Sequence, residues 1–203
     1  LFPYTTLFRS RGYRFSSNSD TEVLLNSYKE YGADCVNILR GMFSFTIYNK
    51  KDRSIFGARD RFGIKPLFYY CDNEKFVWAS EIKSIMVSSK IDTTISHSAI
   101  DTYFTYGYTD SKNSIYKSIK KIPPGHYFTI DTTVVCEPII KKYWGVKFHS
   151  DYSKSRDEWK AIIMDTFTES VKIRLMSEVP LGAFLSGGID SSIIVGLMAR
   201  NSE

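Results

Sequence analysis

Hydrophobic positions change period several times along the 203 residues. Val23, Leu24, Leu25, Tyr28 and Tyr31 recur at helical spacing behind Ser19-Asp20-Thr21-Glu22, and Gly32 follows. An acidic first turn, one apolar face and a glycine stop predict a helix there. A second short helix is expected over 34–39. From Gly41 the period shortens. Met42-Phe43-Ser44-Phe45-Thr46-Ile47-Tyr48 is aromatic and β-branched, which predicts a strand ending in a hairpin turn at 49–52. A return strand follows at 54–59, then a hairpin of 67–71 with 76–79 around Asp72-Asn73. Such short connections make antiparallel pairs. Ser80 is placed to cap a helix to about Met86, and Ser96 or Ser98 another to about Tyr106. Pro123-Pro124-Gly125 is a breaker before a strand at 127–130 and a further strand near 133–136.

From Tyr143-Trp144 to Tyr152 the pattern turns polar and loses its period, which places a domain boundary there. The resulting division is 11–145 and 146–203. In the second part Trp159, Ile162, Ile163, Phe167, Val171, Ile173 and Leu175 mark a long amphipathic helix over 156–176. Then comes Leu181-Gly182-Ala183-Phe184-Leu185, followed by Ser186-Gly187-Gly188-Ile189-Asp190-Ser191-Ser192 and a new apolar run. This reads as strand, glycine turn, helix. A turn of that kind presents backbone N–H groups at a helix N-terminus, where the dipole favours a phosphate. Gly187 and Gly188 permit positive φ, and the serine hydroxyls add donors. Asp190 would repel a phosphate unless a cation intervened, which points to Mg²⁺. The lysine of a Walker-type loop is missing. The same residues also read as a serine-capped helix after a buried strand.

With 43% hydrophobic and 15% aromatic residues the chain can bury a core, and disorder is excluded as its general state. No run of about 18 apolar residues exists, so a cytoplasmic location is expected. The net charge of +5 could serve nucleic acid, but the basic residues are dispersed. The clusters at 117–121 and Lys141-Lys142 read as solvated turns. Cys35, Cys71 and Cys136 have no metal-ligand spacing, and reduced buried thiols account for them. Residues 1–10 show neither Met nor a targeting pattern. They look like the in-frame translation of a short-read sequencing adapter. They are therefore set apart as a non-native segment, with the natural N-terminus expected upstream.

Several motifs then agree in order: Ser17-Asn18-Ser19-Asp20-Thr21-Glu22, Gly41-Met42-Phe43, Ala58-Arg59-Asp60-Arg61-Phe62-Gly63-Ile64-Lys65-Pro66-Leu67, Ala79-Ser80-Glu81, Pro123-Pro124-Gly125-His126 and the loop at Ser186. Together they resemble glutamine-hydrolysing asparagine synthetase over 11–203, as an internal fragment. The loop alone is similar to the pyrophosphate loop of ATP pyrophosphatases. The resemblance implies an α+β fold of the N-terminal-nucleophile type, a partial αββα sandwich of two antiparallel sheets between helices. The beginning of an α/β parallel-sheet pyrophosphate-loop domain would follow it. The implied parent activity is a ligase reaction, the ATP-dependent conversion of aspartate and glutamine to asparagine and glutamate through β-aspartyl-AMP. Activation by adenylylation makes chemical sense, because a carboxylate is a poor acyl donor until its oxygen becomes a good leaving group. Glutamine, aspartate, ATP and Mg²⁺ are the implied partners, with no nucleic acid, no membrane, and a homodimer for the full-length parent.

By the same resemblance Asp20 holds the α-amino group of glutamine, although the residues alone also allow it to cap the helix from Thr21. Leu185, Ser186, Gly187, Gly188, Asp190, Ser191 and Ser192 would contact ATP and its pyrophosphate, with Asp190 on the metal. Arg59, Asp60, Arg61 and Lys65 are read as a buried ion-pair network shaping the glutaminase loop, and His126 as structural. The family nucleophile is a cysteine at residue one, whose α-amine serves as base. Cys35, Cys71 and Cys136 cannot supply that amine, and the family's Asn-Gly-Glu motif and an upstream arginine are missing. No catalytic residue is therefore assigned, and the chain as written is expected to turn over neither half-reaction. The alternatives are a related two-domain amidotransferase or β-lactam synthetase, a tRNA-binding RNA-modifying protein, and a non-catalytic interaction module.

Overall fold

Four layers, helix on sheet on sheet on helix, organise the first of two units in the computed structural model. It describes residues 4–17, 19–88, 90–134, 137–177 and 179–201. The units are Leu1–Val146 and Lys147–Glu203.

In chain order the first unit contains α1 (Tyr4–Ser10), α2 (Asp20–Tyr31), a 3-10 turn (Gly32–Asp34), α3 (Cys35–Ile38), β1 (Ser44–Asn49), β2 (Ser54–Arg59), β3 (Phe68–Cys71) and β4 (Phe76–Ala79). Then come α4 (Ile82–Ser88), α5 (His97–Tyr106), β5 (Ile119–Lys121), β6 (His126–Asp131) and β7 (Ile139–Lys142). One sheet has the order β1-β2-β6-β7 and the other β4-β3-β5, and every pair is antiparallel.

The period-2 alternation of strands fixes the layers. Ile55, Phe128 and Ile130 of the first sheet face Tyr69, Phe76 and Trp78 of the second. Phe56 and Ala58 point the other way, onto Cys35, Val36, Tyr28 and Tyr31 of the α2–α3 layer. Tyr70 and Ile119 carry Ile85, Ile82 and Met86 of α4 on the outer face of the second sheet. Trp78 Nε1 donates to Thr46 Oγ1 at 3.2 Å, one polar link between the sheets.

Local chemistry explains the element ends. Ser19 caps α2 by accepting from the Thr21 N–H, and Gly32, at φ 56°, closes it with an N–H to the Tyr28 carbonyl. Ser96, the first of the two serines considered, caps α5 through the Ala99 N–H. The helix after Ser80 begins only at Ile82.

Two expectations change. The basic clusters lie partly in strands: Lys117 is in an exposed bend as expected, but Lys120 and Lys121 belong to β5, beside a fully buried Ile119, and the exposed Lys141 and Lys142 belong to β7. Lysine stems tolerate strand edges because the head can reach solvent or a carbonyl. The strand expected at 133–136 is replaced by a turn at Thr133 and a bend at Val134, while Val135 and Cys136 lie outside the described residues. Within the segment set apart at 1–10, α1 packs on this unit. Phe8 is fully buried, its ring 5.6 Å from Tyr13 and 6.3 Å from Tyr31 between centroids.

The second unit contains α6 (Arg156–Lys172) and α7 (Ile189–Asn201). Ser155 and Glu158 form a reciprocal capping box at the start of α6, which ends four residues earlier than the apolar spacing suggested. Residues 181–185, expected as a buried strand, carry no regular secondary structure, and Leu181, Phe184 and Leu185 are exposed. A strand forms only against a ladder partner, and none is present among the described residues of this unit.

Candidate functional site

The charged run after β2 folds into a loop organised by one buried carboxylate. Asp60 is 1% exposed, and its oxygens accept the backbone N–H groups of Phe62 at 3.1 Å, Ile64 at 3.0 Å and Lys65 at 2.9 Å. The Arg59 guanidinium encloses the same loop from outside. It donates to the carbonyls of Lys65 (2.8 Å), Gly63 (2.7 Å) and Ile122 (2.8 Å). Arg61 donates to the carbonyls of Leu39 and Asn37 at 2.5 and 3.0 Å. The ion-pair network expected here is thus a network of charges bonded to main chain. Burial demands that each charge be hydrogen-bonded, and a tight loop offers N–H and carbonyl partners already fixed in place. Burial lowers the Arg59 pKa, and adjacent Asp60 partly offsets this.

Gly63 makes the turn possible. Its φ is +66°, and a Cβ there would press on Pro124 and the Arg59 guanidinium. The Asp60 carbonyl accepts the N–H groups of both Gly63 (3.1 Å) and Gly125 (2.9 Å), tying the loop to the Pro123-Pro124-Gly125 breaker. His126 Nδ1 lies 2.8 Å from the Pro124 carbonyl.

This loop forms one wall of a cleft of about 290 Å³, where Lys65 and Pro66 meet Asp20 and Thr21 of α2, Phe43 before β1, and Ser80 after β4. Four motifs separated in sequence converge on it. Asp20 is the first residue of α2, and the capping role belongs to Ser19. The Asp20 carboxylate accepts only a long 3.4 Å bond from its neighbour Thr21 among the described contacts. Glu22 holds the approach to this helix in place. It accepts the N–H groups of Ser16 and Ser17 at 2.9 and 2.8 Å and the Ser17 hydroxyl at 2.6 Å, and its pKa is held down to about 2, chiefly by that hydroxyl. Sequence reasoning placed Glu22 in an acidic first turn but missed this backward reach. The cue was its position three residues after Ser19.

In the second unit Gly187 has φ +82°, and a Cβ on it would meet nothing within 4 Å, so backbone conformation rather than space calls for glycine. The Ser186 and Ser191 hydroxyls lie 3.0 Å apart, and Ser191 and Ser192 both donate to the Gly188 carbonyl, at 3.0 and 2.8 Å. Leu185 precedes this loop, and Asp190 stands exposed in the first turn of α7. No group of three or more His, Cys, Asp or Glu side chains with metal-holding geometry occurs among the described residues. Asp190 alone is compatible with Mg²⁺, which commonly takes one or two carboxylates plus substrate phosphates.

Neither described cysteine resembles an activated nucleophile. Cys35 is fully buried, and burial pushes its thiol up to about 12. Cys71 is half-buried in β3, with Sγ 3.7 Å from the Asp72 carbonyl. Among the described residues no helix is long and apolar enough to cross a membrane.

Comparison with known proteins finds two family matches. Residues 5–144 match the glutamine amidotransferase domain family, and residues 163–203 match asparagine synthase. The chain is 40% identical over 190 residues to a glutamine-hydrolyzing asparagine synthetase 1 of Bacillus subtilis, covering 93% of this chain and 29% of that protein. It is 37% identical over 210 residues to a putative glutamine-hydrolyzing asparagine synthetase 2 of Methanocaldococcus jannaschii, covering 100% and 39%. A solved glutamine phosphoribosylpyrophosphate amidotransferase from B. subtilis superposes with a TM-score of 0.46 at 16% identity, over 98% of this chain and 41% of that one. The chain thus spans between about a quarter and two-fifths of the length of the two relatives named, which are 29% and 39% covered. With one family match running across its four-layer unit at residues 5–144 and an asparagine synthase match opening at residue 163, the chain belongs to the glutamine amidotransferase domain family.

Proposed function

We propose that the chain is the glutamine-binding part and the opening of the ATP-binding part of an asparagine-forming ligase, which converts aspartate and glutamine to asparagine and glutamate through β-aspartyl-AMP. The observation that carries this reading is the cleft where Asp20, Phe43, Lys65 and Ser80 meet. It holds one acidic and one basic side chain, the complement of a zwitterionic amino acid. Asp20 takes the α-ammonium of glutamine, a charge-assisted bond of the stronger kind. The Asp60-centred loop holds the Lys65 backbone in place. Hydrolysis of the amide is not assigned to Cys35 or Cys71.

At Leu185, Ser186, Gly187, Gly188, Ser191 and Ser192, backbone N–H groups and hydroxyls would hold the pyrophosphate of ATP at the start of α7. Donors fixed there stabilise the charge that develops as pyrophosphate departs. Mg²⁺ would be held by Asp190 and would supply charge neutralisation on the phosphates. The reading carries with it a cytoplasmic, homodimeric full-length enzyme.

Glutamine titration of the chain by calorimetry tests the first site. Saturable binding is expected, lost in Asp20→Ala and kept in Asp190→Asn; binding unchanged in Asp20→Ala would overturn the assignment. For the second site, Asp190→Asn in the full-length parent should abolish ATP–pyrophosphate exchange and spare glutaminase activity. Normal exchange in that variant would sink it.

A further inference from the structure

A second cavity of the first unit, of about 570 Å³, lies apart from the glutamine cleft and is lined by Lys112, Lys117, Lys120 and Lys121, with Tyr69 and Ile140 among its apolar walls. Neither half-reaction discussed above uses it. The cationic side chains are carried on a rigid frame. Asp110 accepts the N–H groups of Lys112 and Asn113, both at 2.8 Å, and the Asn113 amide at 2.8 Å. The Lys121 N–H then pairs with the Lys112 carbonyl at 2.8 Å, and Asn113 bridges to Lys120 across the chain.

Two of the four ammonium groups are held by this frame. Lys120 Nζ donates to Asn113 Oδ1 at 3.0 Å, and Lys121 Nζ to the Thr109 and Asp110 carbonyls at 3.2 and 2.9 Å. These are neutral acceptors, so they position the charges without cancelling them. Lys112 and Lys117 are exposed, and no hydrogen bond from either ammonium is present among the described contacts. The acidic groups nearby are few. Glu137 is the one carboxylate in the lining, Asp110 is occupied by the turn it organises, and Asp92, which attracts Lys117, is tied to Thr94. Burial lowers the Lys121 pKa, Asp110 raises it, and neighbouring Arg59 lowers it further, as expected where positive charge is incompletely compensated.

We propose that this cavity is a binding site for a phosphate-bearing small molecule, with the lysines on the phosphate and the Tyr69–Ile140 wall against the remainder of the ligand. Fixed like charges beside low-dielectric walls focus the potential and concentrate anions. The cavity volume falls in the range of ordinary small-ligand pockets, about 300–1,000 Å³.

Amine-reactive labelling of the chain, read lysine by lysine by mass spectrometry, tests this away from the glycine loop, which contains no lysine. The probes are inorganic phosphate and adenosine monophosphate, each at constant ionic strength. Saturating probe should slow labelling of Lys112 and Lys117 by about fivefold or more. Lys50 and Lys51, in the exposed turn between β1 and β2, should be unaffected. Protection at lower concentration by the nucleotide identifies an organic phosphate as the ligand class, and equal protection identifies free phosphate. A Lys112→Glu/Lys117→Glu variant, altered only at exposed positions, should lose protection of Lys120. Protection of Lys112 and Lys117 no greater than that of Lys50 and Lys51, or unchanged Lys120 protection in the variant, would overturn the proposal.

Discussion

The Asp60 carboxylate accepts the Lys65 backbone N–H at 2.9 Å, so a buried carboxylate five residues upstream fixes the backbone of a residue that lines the Asp20 cleft. The geometry at Lys65 is therefore inherited from a residue outside the cleft lining.

Removing that carboxylate tests the dependence. Asp60→Ala leaves the N–H groups of Phe62, Ile64 and Lys65 without their acceptor. Buried unpaired donors cost about 1–3 kcal/mol each, reduced where the loop can relax, so a total loss of about 2–4 kcal/mol is expected in urea unfolding. Asp60→Asn keeps one carbonyl oxygen and should lose less. A change under about 0.5 kcal/mol, the range of an ordinary surface substitution, would show that the loop has other means of closure.

Gly57 and Phe128 face each other across β2 and β6, and a Cβ on Gly57 would run into the Phe128 ring. Gly57→Ala should cost about 1–3 kcal/mol by overpacking. Phe128→Leu in the same chain should recover part of that cost, and a double-mutant cycle measures the coupling. Additive effects would argue against the contact.

Glu22 gives a pH signature. Its folded pKa of about 2 lies below the ordinary glutamate value of 4.5, because the Ser17 hydroxyl and the Ser16 and Ser17 backbone favour the carboxylate. The stability it supplies is present above pH 4.5 and is lost as pH falls toward about 2. Carboxyl-carbon NMR should show the low titration midpoint directly. Glu22→Gln should flatten the acid limb of the stability profile; an unchanged limb would remove Glu22 as its cause.

For Cys35 the sign is opposite. Burial raises its thiol from 9.0 to about 12, so unfolded chain ionises first and stability falls as pH rises above about 9. Alkylation at pH 8 should reach half-buried Cys71 in native protein, while Cys35 reacts only as fast as its surroundings open. Equal rates at the two thiols would contradict the burial.

Much of this was legible in the sequence because local rules and tertiary context agreed. Gly32 stops α2, Ser96 caps α5, and the aromatic run before Asn49 becomes β1, all by short-range chemistry. Where they parted, context decided. Lys120 and Lys121 read as solvent-facing by charge, yet Ile119 beside them has its partner Tyr70 across the sheet, and that pairing draws the lysines into β5. The Asp60 loop was readable as a charged unit but not as to its partners, because peptide groups carry no mark in the sequence. Residues 181–185 show the converse: strand-like composition yields no strand where no ladder partner is present among the described residues of their unit. Convergence of Asp20, Lys65 and Ser80 on one cleft was not legible, since nothing in their spacing reports distance.

The chain passes from β5 in one sheet to β6 in the other across residues 122–125 alone. Ile122 is fully buried there and its carbonyl receives Arg59, while the Gly125 N–H bonds to Asp60. Evolutionary freedom is accordingly uneven. The turn at 50–53 can accept inserted residues at small cost, because it is exposed and joins neighbours within a single sheet. An insertion in the crossover would have to realign both sheets and the cleft loop together. Length variation between relatives should therefore gather at the first hairpin and be absent from the second crossing, giving the family a fixed ruler at one end of the sandwich and a free margin at the other.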